Sequence, residues 1–422
     1  MSQTYRSLTK YLTFANLDQY QWWQQAGPTL SKLLSTANYP VDQQYQYLLL
    51  LGLHVIPMLG PYPSSQRPGL YKSPIGGIGT LELSQNFTKD ANTVRMGFEP
   101  VHYTATTGQD ECNQLIMNET LMKFKRLGAN VSLSLYYSLV SELTLSDADL
   151  GILREKDELK KQPTKSQHVL GVDMKGGEVL VKVYIYPQLA AIARGTPVSE
   201  MIFAALEKVD GGQLGESGCL SVLREFIADE RVNPATTPVT FLSCDLLEPS
   251  HARFKVYLAE FQFDFETLSR NWTLGGRLAD AETMKGLDML QELWTAFDLP
   301  LGLREPPKPG NSPVRLPFLY NLEMQSGRKS PKSKVYFPLA DVNDLDIANV
   351  LTGFFEKHGC AGLARSYTEN LVEYFPGIVL RESVGLHAWL SFSYSEKTGP
   401  YMTVYYQWPD SFNQGHLTAV NP

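Results

Sequence analysis

Cationic and phenolic side chains alternate within a short segment of this sequence. Arg253, Lys255 and Tyr257 occupy every second position of the stretch HARFKVYLAE. Successive side chains of a β-strand point to opposite faces, so these three would share one face and the apolar residues between them the other. Two cations and a phenol on one face suit an anionic ligand. A single amphipathic strand with a hydrated polar face has the same pattern.

The Lys-Val-Tyr triplet of this segment recurs along the chain. It stands at Lys182–Tyr184, Lys255–Tyr257 and Lys334–Tyr336, and the related Thr403–Tyr405 follows, at intervals of roughly 70 to 80 residues. Arg95, in the extended run NTVRMGFEPV, is an earlier member of the series. We therefore predict five structural repeats. Closing their polar faces around one interior would gather the cations and tyrosines in one chamber suited to a polyanion.

Between the polar strands, apolar residues take helical spacing. One such run follows Thr196, predicted to be its cap, and Pro197; a second follows Asp280, and a third covers residues 348–359. We expect these helices to cover the apolar outer faces of the strands. A helix and a strand pair, repeated five times, predict an α+β fold in which about ten antiparallel strands close into a barrel with a polar lumen and a ring of helices.

Composition limits the classes of function. The formal net charge of −7 over 422 residues argues against a nucleic-acid surface. Four scattered cysteines without CxxC spacing indicate reduced thiols. The N-terminus lacks the pattern of a signal peptide, and the longest apolar run, residues 48–56, is too short to cross a bilayer and predicts a buried helix. We expect a cytoplasmic protein without a membrane or nucleic-acid partner.

Other motifs in the chain are weak. Residues 76–79, GGIG, lack the glycine spacing of a dinucleotide-binding turn and predict a simple turn. Asp341, Asp344 and Asp346 fit the caps and first-turn charges of a helix at least as well as a metal site. A DDxxD run, which would hold magnesium against a diphosphate, is absent from the sequence.

Taken in order, these segments resemble the fungal dimethylallyltryptophan synthase family of indole prenyltransferases. The matching pieces are ELSQNFTKDANTVRMGFEPV, VLVKVYIYP, RFKVYLAEF with WTLGG, KVYFPL and YMTVYY, and the opening segments also match. The resemblance implies the ABBA barrel of repeated α-β-β-α units. It also implies a single domain over residues 1–422, with residues 1–75 as a helical segment packed on the barrel.

The resemblance assigns the cations to dimethylallyl diphosphate. Arg95, Lys182, Arg253 and Lys255 match the residues that neutralise the diphosphate as the allylic C–O bond ionises, so that no metal or other cofactor is required. Lys334 stands where some members have glutamine and adds a cation beside the diphosphate.

The resemblance also assigns aromatic and acidic roles. Five tyrosines match the shield of the allylic cation, and their hydroxyls also donate to the diphosphate. They are Tyr184, Tyr257, Tyr336, Tyr401 and Tyr405. Glu82 matches the catalytic glutamate that accepts the indole N–H hydrogen bond.

One departure concerns the acceptor. Val169 stands where tryptophan-specific members have a lysine placed to remove the ring proton, and His168 next to it would face the other side of the strand. Members without this lysine include enzymes that act on tryptophan-containing cyclic dipeptides. We therefore expect a cyclic dipeptide or related indole alkaloid precursor, and the base is left unassigned.

Several alternatives remain open from the sequence. The acceptor could be free tryptophan or a phenolic or polyketide compound, with Glu82 binding a phenol hydroxyl. A non-catalytic protein that binds an isoprenoid diphosphate would use the same cations. The sequence decides neither the ring position and orientation of prenylation nor whether the protein is a monomer or a homodimer.

Overall fold

A computed structural model describes residues 2–63, 71–75, 79–89, 91–162, 164–211, 214, 218–304 and 316–408. Ten strands close into a barrel, and two short strands, β7 and β8, form a separate sheet. The strands are β1 Leu81–Phe87, β2 Asn92–Phe98, β3 His168–Lys175, β4 Glu178–Ile185, β5 Val239–Asp245, β6 Phe254–Glu260, β7 Gln262–Phe263, β8 Gly302–Leu303, β9 Phe318–Met324, β10 Lys332–Pro338, β11 His387–Ser395 and β12 Gly399–Tyr406.

The barrel is built from five strand pairs that follow one another along the chain. Around the barrel the order is β1, β12, β11, β10, β9, β6, β5, β4, β3, β2, and each neighbouring pair is antiparallel. Arg95, Lys182, Lys255 and Lys334 each lie in the second strand of a pair, as Thr403 does. The predicted fold, a closed barrel of about ten antiparallel strands, is confirmed.

Side-chain alternation separates the lumen from the core. In β6, Lys255 and Tyr257 face the lumen, while Phe254 and Val256 are buried in the core between the strands and the helices. Arg253 lies one residue before β6, and its carbonyl oxygen accepts a hydrogen bond from the Asp245 N–H at 3.3 Å. The backbone pairing therefore extends to Arg253, whose side chain also lines the lumen.

Helices cover the outside of the barrel, and the main hydrophobic core lies between the two layers. They are α1 Gln3–Thr9, α2 Leu17–Thr36, α3 Val41–Leu49, α4 Tyr103–Thr107, α5 Ile116–Arg126, α6 Leu133–Leu143, α7 Asp147–Glu155, α8 Glu158–Lys161, α9 Gln188–Arg194, α10 Val198–Asp210, α11 Cys219–Ile227, α12 Phe265–Trp272, α13 Ala281–Phe297, α14 Asp344–Lys357 and α15 Ala361–Tyr374.

The predicted helix boundaries are met in part. α13 begins after Asp280, whose carboxylate accepts a hydrogen bond from the Thr283 N–H. The prediction that Thr196 caps α10 is wrong, because Pro197 occupies the cap position and supplies no side-chain hydrogen bond. α14 begins at Asp344, four residues before the predicted start, with Asn343 as its cap.

The N-terminal helices are attached to the barrel by a tyrosine. The Tyr39 hydroxyl accepts a hydrogen bond from the Val94 N–H in β2 at 3.0 Å and donates one to the Met174 carbonyl in β3. The apolar run at residues 48–56 is buried for the most part and passes from α3 into a π-helical turn at Leu50–Val55. Cys112, Cys219, Cys244 and Cys360 are all buried.

No single described helix has the length and apolar character needed to span a membrane. Gln188–Arg194 and Val198–Val209 are long and apolar enough only when taken together, and they are bent by 104°.

Candidate active site

Two adjoining chambers occupy the lumen of the barrel. The first, here named the apolar chamber, has a volume of about 1060 Å³ with its mouth included and is lined among others by Glu82, Gly97, Val169, Gly171, Phe241, Leu319 and Trp389. The second, the cationic chamber, measures about 900 Å³ on the same basis and is lined among others by Arg253, Lys255, Asn321, Glu323, Lys334 and Tyr401. Both chambers are bordered by Arg95, Lys182, Tyr184, Tyr257, Tyr336 and Tyr405.

Carboxylates hold the cations of the lumen in place. Asp173 on β3 lies 3.1 Å from Arg95 Nε and 2.5 Å from Lys182 Nζ. Burial opposes ionisation of Asp173, but the charges of Arg95 and Lys182 hold its pKa well below the usual range. Asp173 therefore ties the cations of β2 and β4 together across the strand that separates them.

A second carboxylate cluster binds the remaining cations. Arg253 Nε lies 2.6 Å from Asp245 Oδ2, and Lys255 Nζ lies 3.6 Å from Asp245 Oδ1 and 3.8 Å from Glu323 Oε2. Burial would raise the pKa values of Asp245 and Glu323, yet Lys255 and Arg253 hold both below their usual range. The two carboxylates orient both side chains at the wall of the cationic chamber.

Positive charge exceeds negative charge at this end of the lumen. The five predicted cations, Arg95, Lys182, Arg253, Lys255 and Lys334, face the three carboxylates Asp173, Asp245 and Glu323. Burial lowers the pKa of Lys182 and of Lys334 to about 8, so both remain largely protonated at neutral pH. A dianionic or trianionic group entering the chamber would favour the protonated forms of both lysines further and neutralise the excess charge.

Four of the predicted shield tyrosines form a continuous arc between the chambers. Ring centroids lie 6.2 Å apart for Tyr184 and Tyr257, 6.0 Å for Tyr257 and Tyr336, and 5.9 Å for Tyr336 and Tyr405. Asn321 Nδ2 donates to the hydroxyls of Tyr257 and Tyr336 at 3.3 and 3.2 Å, which fixes the middle of the arc. The four rings are thus held at the boundary between the two chambers.

The fifth predicted tyrosine, Tyr401, has a different position. It lines the cationic chamber, where Arg95 Nη2 donates to its hydroxyl at 2.5 Å and Lys334 Nζ lies 4.4 Å from its ring centroid. Burial alone would raise the pKa of Tyr401, but Arg95 and Lys334 bring it below the usual value. This placement joins Tyr401 to the anion-binding cations more directly than to the arc.

Glu82 lies in the apolar chamber beside a patch without side chains. Its partner in β2 is Gly97, and Gly97 in turn pairs with Gly171 in β3. A Cβ atom on Gly97 would lie 3.6 Å from Glu82 Oε1, so the glycine leaves space next to the carboxyl group. Burial raises the pKa of Glu82 to about 8. The glutamate is therefore placed to bind a donor on a flat ring that lies against the glycines.

Val169, which stands where the resemblance places a lysine, and its neighbour His168 face opposite sides of β3, as predicted. Val169 lines the apolar chamber, whereas His168 faces the helices, with its ring 6.0 Å from that of Tyr136. Burial lowers the pKa of His168 to about 4. Strand β3 therefore presents neither a lysine nor an imidazole to the chamber at these positions.

Several functional residues were not predicted. Asp173 could have been found, because it follows Val169 and Gly171 at the same alternation in β3. Asp245 stands alone in its segment, and Asn321 and Glu323, two residues apart on β9, give no signal that recurs elsewhere in the chain. Phe241 and Trp389 follow the alternation of their strands, since Leu242 and Leu390 beside them face the core, but both lie in segments without the recurring cation pattern.

Two weaker sequence features have structural roles or cannot be placed. Asp344 and Asp346 both lie in the first turn of α14, as predicted. Asp344 is also fully buried and accepts hydrogen bonds from the N–H groups of Leu386 and His387. Within the described part of the chain, no group of three His, Cys, Asp or Glu residues is arranged to hold a metal ion. The predicted turn at residues 76–79 lies outside the described residues except for Gly79.

Comparisons with known proteins relate this architecture to enzymes of one family. The family described as tryptophan dimethylallyltransferase matches residues 18–370. Roquefortine prenyltransferase roqD of Penicillium rubens is 39% identical over 407 residues, covering 95% of this chain and 94% of its own.

Solved structures agree with the sequence comparison. The crystal structure of AnaPT from Neosartorya fischeri superposes with a TM-score of 0.86 at 33% identity, over 96% of this chain and 98% of that one. NotF in complex with brevianamide F and DMSPP superposes with a TM-score of 0.84 at 30% identity, again over 96% and 98% of the two chains.

Proposed function

The chain belongs to the tryptophan dimethylallyltransferase family, and we propose that it transfers the dimethylallyl group of dimethylallyl diphosphate to the indole ring of a tryptophan-containing cyclic dipeptide or a closely related precursor. The observation that carries the proposal is the arc of tyrosines shared by two chambers, one lined by cations and the other by Glu82. A donor and an acceptor bound in the two chambers would meet at this arc.

The first step is cleavage of the allylic C–O bond in the cationic chamber. The bonding electrons leave with the diphosphate, whose growing charge is stabilised by Arg95, Lys182, Arg253, Lys255 and Lys334. Preorganised cations at a developing negative charge contribute transition-state stabilisation that a bound metal would otherwise supply. The carboxylates Asp173, Asp245 and Glu323 keep these cations oriented before the donor arrives. The reaction therefore proceeds without a metal ion.

The second step is attack of the indole on the allylic cation. The faces of Tyr184, Tyr257, Tyr336 and Tyr405 stabilise the cation and keep water from capturing it. Ionised Glu82 accepts the hydrogen bond of the indole N–H, which becomes more acidic as the ring gains positive charge, so the bond strengthens in the transition state. Loss of the proton from the attacked carbon then restores the aromatic ring.

The charges of the apolar chamber favour an acceptor without a free carboxylate. Among its described lining residues, the basic side chains are Arg95 and Lys182, and both are paired with Asp173. A free amino acid would leave its carboxylate without a cationic partner there, which is costly in a buried site. In a cyclic dipeptide the carboxyl and amino groups are both amides. The NotF structure, which holds the cyclic dipeptide brevianamide F, supports this choice.

A panel of acceptors tests the proposal. The protein is incubated with dimethylallyl diphosphate and equal concentrations of tryptophan-containing cyclic dipeptides, free tryptophan and simple phenols, and products are identified by mass spectrometry and NMR. We expect mono-prenylated cyclic dipeptides, with the dimethylallyl group on the indole. Faster turnover of free tryptophan would contradict the acceptor, and prenylation of phenols alone would contradict the role of Glu82 as an indole N–H acceptor.

A further inference from the structure

The strand β11 changes register just where it enters the lumen. His387 pairs with Tyr406, yet Trp389 pairs with Tyr405, so Ala388 is an extra residue and forms a bulge. The imidazole of His387 lies outside the barrel against Tyr367 of α15, whereas Trp389 lines the apolar chamber. Regular alternation would place residues 387 and 389 on the same face. The bulge is therefore what allows one to face outward and the other inward.

A buried carboxylate from outside the barrel holds this bulge. Asp344, at the start of α14, accepts hydrogen bonds from the N–H groups of Leu386 and His387 at 3.1 and 3.2 Å. Its Oδ1 also lies 2.7 Å from His387 Nδ1, and His387 Nε2 lies 3.0 Å from the Tyr367 hydroxyl. Asp344 and His387 are both fully buried. A carboxylate can only accept hydrogen bonds, so the contact with Asp344 makes Nδ1 the protonated ring nitrogen of His387.

The carboxylate is itself held at a fixed place. The Asp344 N–H donates to the Ser383 carbonyl at 3.0 Å, and Asn343 Nδ2 donates to the same carbonyl at 3.2 Å. By contrast, the register shift in β5 lies beside a bond within the barrel, from the Thr240 hydroxyl to the Tyr257 carbonyl at 3.1 Å. The chain that enters the β11 bulge is thus attached to the helical layer at Ser383, Leu386 and His387.

Trp389 is the residue that this bulge brings into the apolar chamber. It packs against Leu316 and Ala340 and contacts the aromatic cluster that contains Tyr257 and Tyr336. Across the strands its partner is Tyr405, the last tyrosine of the arc. An acceptor in the apolar chamber would therefore rest against the Trp389 ring while its reactive carbon faces the arc.

We propose that Asp344 and His387 are positioning residues of the reaction: they hold the β11 bulge that turns Trp389 into the apolar chamber, and Trp389 sets which acceptor carbon faces the allylic cation. The proposal rests on the proposed function for the presence of an aromatic acceptor. It adds residues that touch neither substrate and act from outside the barrel.

A double-mutant cycle between Asp344→Asn and Trp389→Ala tests this coupling. Asp344→Asn should lower kcat/KM for the acceptor roughly 10- to 100-fold, as expected for a small misplacement of a reacting group, and should change the ratio of ring positions prenylated. Affinity for inorganic diphosphate should stay within about twofold, because the cationic chamber does not contact the bulge. In the Trp389→Ala background, Asp344→Asn should have little further effect on either quantity.

Two outcomes would overturn the proposal. If Asp344 only stabilises the fold, its replacement will reduce kcat/KM by the same factor in both backgrounds and will leave the product ratio unchanged. The control is Glu260→Gln, which alters another buried carboxyl group outside the lumen, bonded to Thr237 and Asn271 at 2.8 Å. It should lower thermal stability without shifting the product ratio, and an equal shift would also contradict the coupling.

A milder variant covers the case in which Asp344→Asn does not fold. Tyr367→Phe removes only the hydroxyl 3.0 Å from His387 Nε2. We expect it to change the product ratio less than Asp344→Asn does, and to have little further effect in the Trp389→Ala background. An additive effect, or none, would contradict the proposal. The cycle is run with whichever aromatic acceptor the wild-type protein prenylates. Failure with cyclic dipeptides would therefore refute the proposed acceptor and leave this test intact.

Discussion

At the scale of single residues, the ionisation of Glu82 connects structure to rate. Burial raises its pKa to about 8, so most of the free protein at neutral pH carries the protonated form, which cannot accept the indole N–H with a full charge. At saturating donor, kcat/KM for the acceptor should rise with pH and level off above about 8. The measurement is a pH–rate profile with matched ionic strength.

The matched variant for this prediction is Glu82→Gln. It keeps the size of the side chain but loses about 2 to 4 kcal/mol of transition-state stabilisation, or roughly thirty- to a thousand-fold in rate, and its profile should no longer rise near pH 8. Inorganic diphosphate should bind normally, because Glu82 lies in the other chamber. A variant with wild-type rate, or with the same rise, would remove Glu82 from the chemistry.

Lys334 gives a second prediction at the residue scale. Burial lowers its pKa to about 8, so its positive charge is present below that pH and is lost above it. Lys334→Gln should fold, should weaken inorganic diphosphate binding roughly tenfold at neutral pH, and should flatten the loss of affinity above pH 8. Isothermal titration calorimetry measures both effects.

The control for Lys334 is a lysine two residues away. Lys332 lies on the rim of the same chamber and is paired with Glu282 at 2.8 Å. Lys332→Gln removes the same charge from a half-exposed site, where a single ion pair contributes little. Equal losses of affinity in the two variants would mean that Lys334 acts only through the general charge of the rim.

At the scale of elements, the paired glycines of β2 and β3 set the spacing between acceptor and arc. A Cβ atom on Gly171 would lie 3.1 Å from Cε2 of Tyr184, closer than a normal contact, whereas one on Gly97 would meet nothing nearer than 3.6 Å. Gly171→Ala should therefore displace Tyr184 and admit water to the allylic cation. The expected result is a larger fraction of dimethylallyl alcohol per donor consumed, measured by product analysis.

Gly97→Ala is the matched variant for the same strands. It adds the same methyl group beside Glu82 without moving a tyrosine, so it should raise KM for the acceptor without increasing the yield of alcohol. Equal alcohol yields from the two variants would show that the Tyr184 ring does not keep water from the cation.

Some strands of the barrel could be predicted from the sequence together with their lumen residues, and others could not. The five strand pairs and their cations were predictable because lumen residues recur at one position of each repeat, with period 2 inside each strand. Phe241 and Trp389 were not, because they lie on the first strand of their pairs, where no Lys-Val-Tyr triplet marks the face that lines the lumen. Asp344 was predicted as a cap or first-turn charge, and its hydrogen bonds to β11 depend on a contact between distant segments.

At the scale of the whole molecule, barrel closure concentrates positive charge in a chain of negative net charge. The formal charge is −7, yet five cations meet three carboxylates in one part of the lumen. The cations were predicted because they match a known pattern, whereas the carboxylates that orient them lie singly on β3, β5 and β9. Pairing of neighbouring strands brings each carboxylate beside its cations, and closure of the sheet gathers all of these charges in one lumen.

We propose that this lumen ionises dimethylallyl diphosphate and directs the cation to an indole with the charges of the protein alone. The most direct test is the initial rate of prenylated cyclic dipeptide formation by dialysed protein in excess EDTA, compared with the rate in excess Mg²⁺. We predict sustained turnover in EDTA, within a few-fold of the rate with Mg²⁺, because Arg95, Lys182, Arg253, Lys255 and Lys334 already supply the compensating charge. Loss of activity in EDTA that Mg²⁺ restores would contradict this prediction, because it would show that the five cations do not suffice to ionise the donor.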